Sequence, residues 1–215
     1  MIINLLFTEP VLFFAIIIAL IISIDFHEFS HILSAKLLGD NTGEQAGRLT
    51  LNPLAHLDLF GTLAILIIGF GWGKPAPFNP YNLKNQRLGP ALVALGGPLA
   101  NFVLIVVFGL LLKIFYPILG QANYLTIFLQ VMVTFNGILM IFNLIPLPPL
   151  DGSHILEGIL GSRFVNITET LKRYGPMILF GLIAVTILFN ISIFSYLFYP
   201  VMRFISKIIG IPLFF

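Results

Sequence analysis

Cysteine is missing from the chain, which excludes disulfides, thiolate nucleophiles and thiolate metal ligands. Charge is scarce as well. Asp, Glu, Lys and Arg make up 9% of the 215 residues while 58% are hydrophobic, whereas a soluble domain carries about 25% charged residues. So little charge suits lipid rather than water, and the chain reads as an integral membrane protein. The net charge of +2 is small and its basic residues are scattered, which argues against nucleic acid as a partner. The opening stretch MIINLLFTEPVLFFAIIIALIIS lacks the basic start and small-residue cleavage site of a leader, so it reads as a retained first span.

A membrane-crossing helix needs about 20 mostly apolar residues. By that measure 11–37, 89–113, 124–145 and 176–199 are expected spans. The piece LFGTLAILIIGFGWG (59–73) is short and holds four glycines, so it reads as a re-entrant hairpin. The terminal YPVMRFISKIIGIPLFF is a short amphipathic piece, interfacial or a half-span. Between the first two spans, GRLTLNPLAHLDLFGT and GWGKPAPFNPYNLKNQRLG are rich in turn formers. Irregular backbone at membrane depth requires cover from protein or a water-filled cavity, so this region is a candidate gate. The fold expected is an all-α polytopic membrane protein, a bundle of about five to six transmembrane helices with an irregular re-entrant segment after the first.

Basic residues favour the cytoplasm. No Lys or Arg precedes the first span, whereas Lys36, Arg48, Lys74, Lys84 and Arg87 follow it. The N-terminus is therefore expected outside and residues 38–88 inside, which works only if 59–73 dips in and returns. Arg163, Lys172 and Arg173 then fall inside; Lys113, Arg203 and Lys207 fit this orientation less well.

Within the first span stands His27-Glu28-Phe29-Ser30-His31, an H-E-x-x-H motif. Positions four apart share a helix face, so both imidazoles can meet one metal ion while Glu28 reaches a water on it. At this chain's composition the motif arises by chance only about 0.002 times per chain, and ionisable groups inside a membrane are functional by default because each is costly. A zinc site of this kind takes a third protein ligand and leaves the fourth position to water. Asp25 points to another helix face, and Glu9 lies at the far end of the span. Asp40, Glu44, His56 and Asp58 remain open on spacing. Asp151 closes FNLIPLPPLDG, where three prolines break the helix at about the depth of His31. Its other reading is the N-cap of GSHILEGILG, and spacing leaves the two even.

H-E-F-S-H, then G-G-P-L-A-N at 96–101, then N-L-I-P-L-P-P-L-D-G at 143–152 together resemble the site-2 protease family, the intramembrane zinc metalloproteases. The resemblance covers roughly residues 15–160, including LNPLAHLD and GWGKPAPFNP, segments typical of small prokaryotic members. It implies one Zn2+ ion on His27, His31 and Asp151, Glu28 as general base, and Asn143 at the active site or substrate. The substrates implied are transmembrane segments of other membrane proteins in the lipid bilayer, cut after an earlier cleavage has removed their outer domain. The implied location is the cell membrane, as a multi-pass protein. On this reading 1–215 is one protease domain, with a core over about 11–160 and C-terminal helices from 161 to 215. Neither a peptide-binding module nor a regulatory domain is seen.

Gly96, Gly97 and Ala100 read as small residues for close helix packing. Asn101 reads as a donor near the site or substrate, or an interhelical hydrogen bond. His154 would orient Asp151 or face the cavity, His56 would anchor the turn region, and Trp72 would sit at the interface. Asp25 has no assigned role. The alternative function is a non-proteolytic metal-binding membrane protein, a transporter or inactive homologue. Glu28 discriminates, because such a protein needs the ligands but not the base.

Overall fold

A computed structural model describes residues 2–68, 70–189, 191 and 193–213, apart from the side chains of Ser162 and Arg163. Gly69 of the expected hairpin, Asn190 and Ser192 of the expected last span, and Phe214 and Phe215 of the terminal piece lie outside the described residues. So does the Arg163 side chain used for orientation.

Helix α1 runs Pro10–Leu37, with proline in its first turn, where a missing N–H costs nothing. It ends where Gly39 takes a φ of 107° and Asp40 N–H bonds back to Ala35, a glycine stop of the usual kind. Helix α2 is Leu59–Ile68, α3 is Gly89–Leu119, α4 is Tyr124–Asn143, α5 is Asp151–Leu160, α6 is Val165–Phe189 and α7 is Ser195–Ile209. Four of them (α1, α3, α4 and α6) are long and apolar enough to cross a membrane. Among the described residues there is no strand, only one antiparallel bridge between Leu57 and Gly73. The fold is all-α and polytopic.

Helices α1, α3 and α4 pack on one another and form the centre, with α5 against α3. Ala15, Ile16 and Ala19 of α1 meet Val131 and Met132 of α4. Helix α7 closes the other side of α4. Its Met202 and Ile209 join Leu112, Leu129 and Val133 in a buried cluster, while Arg203 and Lys207 stay exposed, the amphipathic pattern expected of that piece.

The 59–73 segment doubles back. Helix α2 is only 10 residues long, about 15 Å at helical rise. Lys74 N–H then bonds to His56 C=O at 2.7 Å, so the segment leaves and returns at one level. Glycine permits the close approach: a Cβ on Gly61 would lie 1.9 Å from Trp72 O, and one on Gly71 would lie 2.0 Å from Gly61 O.

The last span departs from expectation. It is Val165–Phe189 rather than 176–199, and residues 195–209 form a separate helix. Hydropathy sees only the apolar part, yet four of the seven residues of ITETLKR, Glu169, Leu171, Lys172 and Arg173, are good helix formers that extend the helix beyond it. The second span likewise continues past Lys113 to Leu119.

Candidate metal centre

The long axis of α1 brings His27 and His31 onto one face, and the irregular run 144–150 delivers Asp151 to them from the other side. His27 Nε2 and His31 Nε2 stand 3.0 Å apart. Asp151 Oδ2 lies 3.1 Å from the first and 3.3 Å from the second. Both histidines are buried, at 4% and 6% exposure.

Asp151 is the first residue of α5, not its cap. No side chain caps that helix, and Ser153 N–H bonds to Leu150 C=O instead. The capping alternative therefore falls away, and the carboxylate turns to the histidines. Gly152 makes this turn possible, because a Cβ there would lie 2.4 Å from the carbonyl oxygens of both Leu144 and Ile145.

The outer nitrogens of the two rings decide what faces the centre. His31 Nδ1 is 2.8 Å from Val93 C=O, an atom that only accepts, so Nδ1 carries the hydrogen. His27 Nδ1 is 2.6 Å from Asn101 Oδ1, and the same logic holds. Each neutral ring then points a lone pair from Nε2 at the other and at Asp151. Three acceptors converge, and Asp151 Oδ2 is buried without a hydrogen-bond donor. A shared cation would stabilise such a set.

Space for it exists. A Cβ placed on Gly97 would lie 2.4 Å from His31 Nε2 and 2.5 Å from His27 Nε2. The missing side chain is thus a cradle against both ligand nitrogens. His27, His31 and Asp151 are also the group of ligand atoms among the described residues close enough to hold one ion, and two imidazoles with a carboxylate are a donor set suited to zinc.

Glu28 occupies the neighbouring face. A Cβ on Gly73 would stand 3.7 Å from its Oε1, so the carboxylate looks towards the returning arm of the hairpin. No donor bonds to it among the described residues.

The other candidates for third ligand have different work. Asp40 is buried and accepts from Thr42 N–H and hydroxyl, Asn79 N–H and Asn82 Nδ2, tying the end of α1 to segment 79–82. Asp58 accepts from Gly61 N–H at 2.8 Å and caps α2. Glu44 pairs with Lys36 at 2.6 Å, and Glu9 stands before α1. His56 is fully buried and donates from Nε2 to Thr50 C=O at 2.8 Å. Its Nε2 is also 3.6 Å from Asp25 Oδ1, which gives Asp25 a neighbour the sequence did not show.

Asn143 donates to Leu139 C=O within its own helix and is not brought to the metal ligands by a contact of its own. His154 meets the edge of Phe78 and lines a cleft of about 530 Å³ with Arg87, Glu157 and Lys172, so it faces a cavity. Three contributors escaped sequence reading: the Val93 carbonyl, the cradle at Gly97 and the Asn136 amide beyond Asn101. Only Asn136, one of three amides in an apolar span with Gln130 and Asn143, left a readable signal.

The pattern of peptidase family M50 matches residues 111–188. A Bacillus subtilis protein, YwhC, whose name proposes a zinc metalloprotease, is 36% identical over 193 residues, 87% of this chain and 85% of its own. Rip2 of Mycolicibacterium smegmatis, named in the same way, is 33% identical over 175 residues, 77% of this chain and 65% of its own. Rip2 of Mycobacterium tuberculosis H37Rv is 27% identical over 209 residues, 93% and 75% respectively. No solved structure matches the chain.

Proposed function

Since the chain belongs to peptidase family M50 and is a zinc metalloprotease of the site-2 type, we propose that it hydrolyses peptide bonds in or beside transmembrane segments of other membrane proteins. One zinc ion would sit on His27, His31 and Asp151, and Glu28 would be the general base. The observation that carries this reading is the convergence of three buried acceptor atoms from α1 and α5 on the cradle left by Gly97.

Depth supports a substrate in the membrane. His31 and His27 stand six and ten residues from the Leu37 end of α1, about 9–15 Å along the helix. A hydrocarbon core is about 30 Å thick, so the centre falls within it when Leu37 marks the boundary. The Lys and Arg distribution favours residues 38–88 in the cytoplasm, with the chain a multi-pass protein of the cell membrane.

When bound, zinc acidifies a water at its open position and polarises a carbonyl. The residues of the chain do the rest. Glu28 takes the proton of the attacking water and returns it to the leaving amine. Val93 and Asn101 keep both imidazole hydrogens on Nδ1, so the Nε2 lone pairs face the ion. The helical substrate has to open before attack, and the returning arm of the hairpin offers an extended edge beside Glu28 for main-chain pairing. Pro75 and Pro77 supply no N–H, and Lys74 N–H is taken by His56 C=O, which restricts that pairing to the stretch around Gly73. Gly73→Pro should then slow cleavage more than Gly73→Ala, which adds the same Cβ but keeps the N–H; equal rates would remove the edge from the account.

The central test is cleavage of a single-span substrate by wild type, Glu28→Gln and chelator-treated protein, with metal analysis. Expected are one zinc per chain in both proteins and cleavage only by untreated wild type. Bound zinc with no Glu28-dependent cleavage would favour the non-proteolytic metal-binding alternative.

A further inference from the structure

The two imidazoles are oriented by unequal partners. His31 rests on a backbone carbonyl, which cannot turn. His27 rests on the side-chain amide of Asn101, which can rotate by half a turn and exchange its oxygen for its nitrogen. An amide so rotated would present N–H to His27 Nδ1 and drive the ring hydrogen to Nε2, where it would point at His31 and Asp151 and block the lone pair needed for a metal.

Something must hold Asn101, and two contacts do. Its Nδ2 donates to Ser23 C=O at 3.3 Å and to Asn136 Oδ1 at 2.9 Å. The second contact holds only if Asn136 is itself oriented. Asn136 Nδ2 donates to Met132 C=O at 2.8 Å, and since a backbone carbonyl only accepts, the Asn136 oxygen must face Asn101. Both amides are completely buried, so no water competes for these bonds. The direction of every hydrogen bond from Met132 to His27 is thereby fixed.

We propose that Asn136 on α4 is a positioning residue that keeps the His27 hydrogen on Nδ1 through Asn101, and so tunes the affinity of the metal centre without touching it. The inference rests on His27, His31 and Asp151 being the zinc ligands. It also gives α4, which supplies none of those three residues, a defined part in building the site.

The test is zinc affinity by chelator competition in detergent-solubilised protein, with thermal unfolding of the metal-free forms as a check on folding. Asn136→Val and Asn136→Thr have nearly equal volumes. A threonine hydroxyl can donate to the carbonyl four residues back and still accept from Asn101. Outer partners of metal ligands affect affinity by 10–100-fold, so the valine variant should bind zinc roughly tenfold more weakly, with the threonine variant close to wild type. Equal affinity in the valine and threonine variants overturns the proposal. A wild-type protein that binds no zinc would instead overturn the ligand assignment beneath it.

Discussion

Helices α4 and α6 look alike to a hydropathy measure and live differently. In α4, 56% of the most apolar stretch is buried against protein; in α6 the figure is 11%. The polar residues follow that division. Helix α4 encloses Thr126, Gln130, Thr134 and Asn136, all buried, whereas the charged Glu169, Lys172 and Arg173 of α6 sit in its first turns and are not buried. A polar side chain deep in a membrane protein is tolerated where another helix can bond to it, and a close approach is what small residues permit. The centre made by α1, α3 and α4 meets both conditions. Helix α6 buries only Thr168, Gly175 and Leu179; its close contacts, Gly175 on Pro148 and Lys172 with Glu157 of α5, lie in its first half, and its apolar stretch carries mostly surface.

The sharpest way to break this contrast is to remove a ligand. His31→Ala and Asp151→Ala should each take zinc from one ion per chain to near none and abolish cleavage. An Asp151→Ala protein with normal zinc content would remove Asp151 from the ligand set. Next in size is a single methyl group. Gly97→Ala places a Cβ 2.4–2.5 Å from both ligand nitrogens, so helices α1 and α3 must part, and zinc affinity should fall roughly 10–100-fold, the range seen when a ligand's surroundings are disturbed. Gly181→Ala makes the same change in α6, where a Cβ meets nothing within 4 Å. It should leave affinity unchanged and stability unchanged or raised by up to about 1 kcal/mol, as replacing a mid-helix glycine does. If both variants behaved alike, the central trio would not be the tighter part of the molecule.

Much of the centre was legible beforehand because helical spacing is a rigid rule: His27 and His31 had to share a face, and Glu28 had to stand beside it. The resemblance singled out Asp151, which spacing had left balanced between ligand and cap. The hairpin was readable from the shortness of 59–73 and the charges that follow. What stayed hidden depends on partners distant in sequence. Nothing local says that Val93 offers its carbonyl to His31 across 62 residues, or that Asp25 and His56 meet. Gly97 was readable as a packing residue, yet only the packed helices reveal that its missing side chain leaves the cradle. The last span was misplaced because apolarity marks where lipid lies and not where a helix starts or stops.

An effect on stability alone lies just beyond the end of α1 and sharpens the contrast from its edge. Asp40, just past α1, is 1% exposed, and it ties α1 to the segment that leads into α3. Burial alone would raise its pKa, but hydrogen bonds from Thr42, Asn82 and Asn79 hold the carboxyl below its usual value. A carboxyl depressed on folding contributes stability above its unfolded pKa of about 3.9, and that contribution disappears as pH falls through the lower folded value. Asparagine cannot accept with both side-chain atoms, so Asp40→Asn should cost about 1.5–3 kcal/mol near neutrality, the range for hydrogen bonds to a charged group. Thermal unfolding in detergent should show the variant below wild type at pH 6, with the gap closing below about pH 4. Zinc content should be unchanged, since the clasp holds the ends of α1 and α3 while Gly97 and the buried amides hold their middles. A gap that persists undiminished to pH 3 would mean that the Asp40 charge is not what fastens those ends.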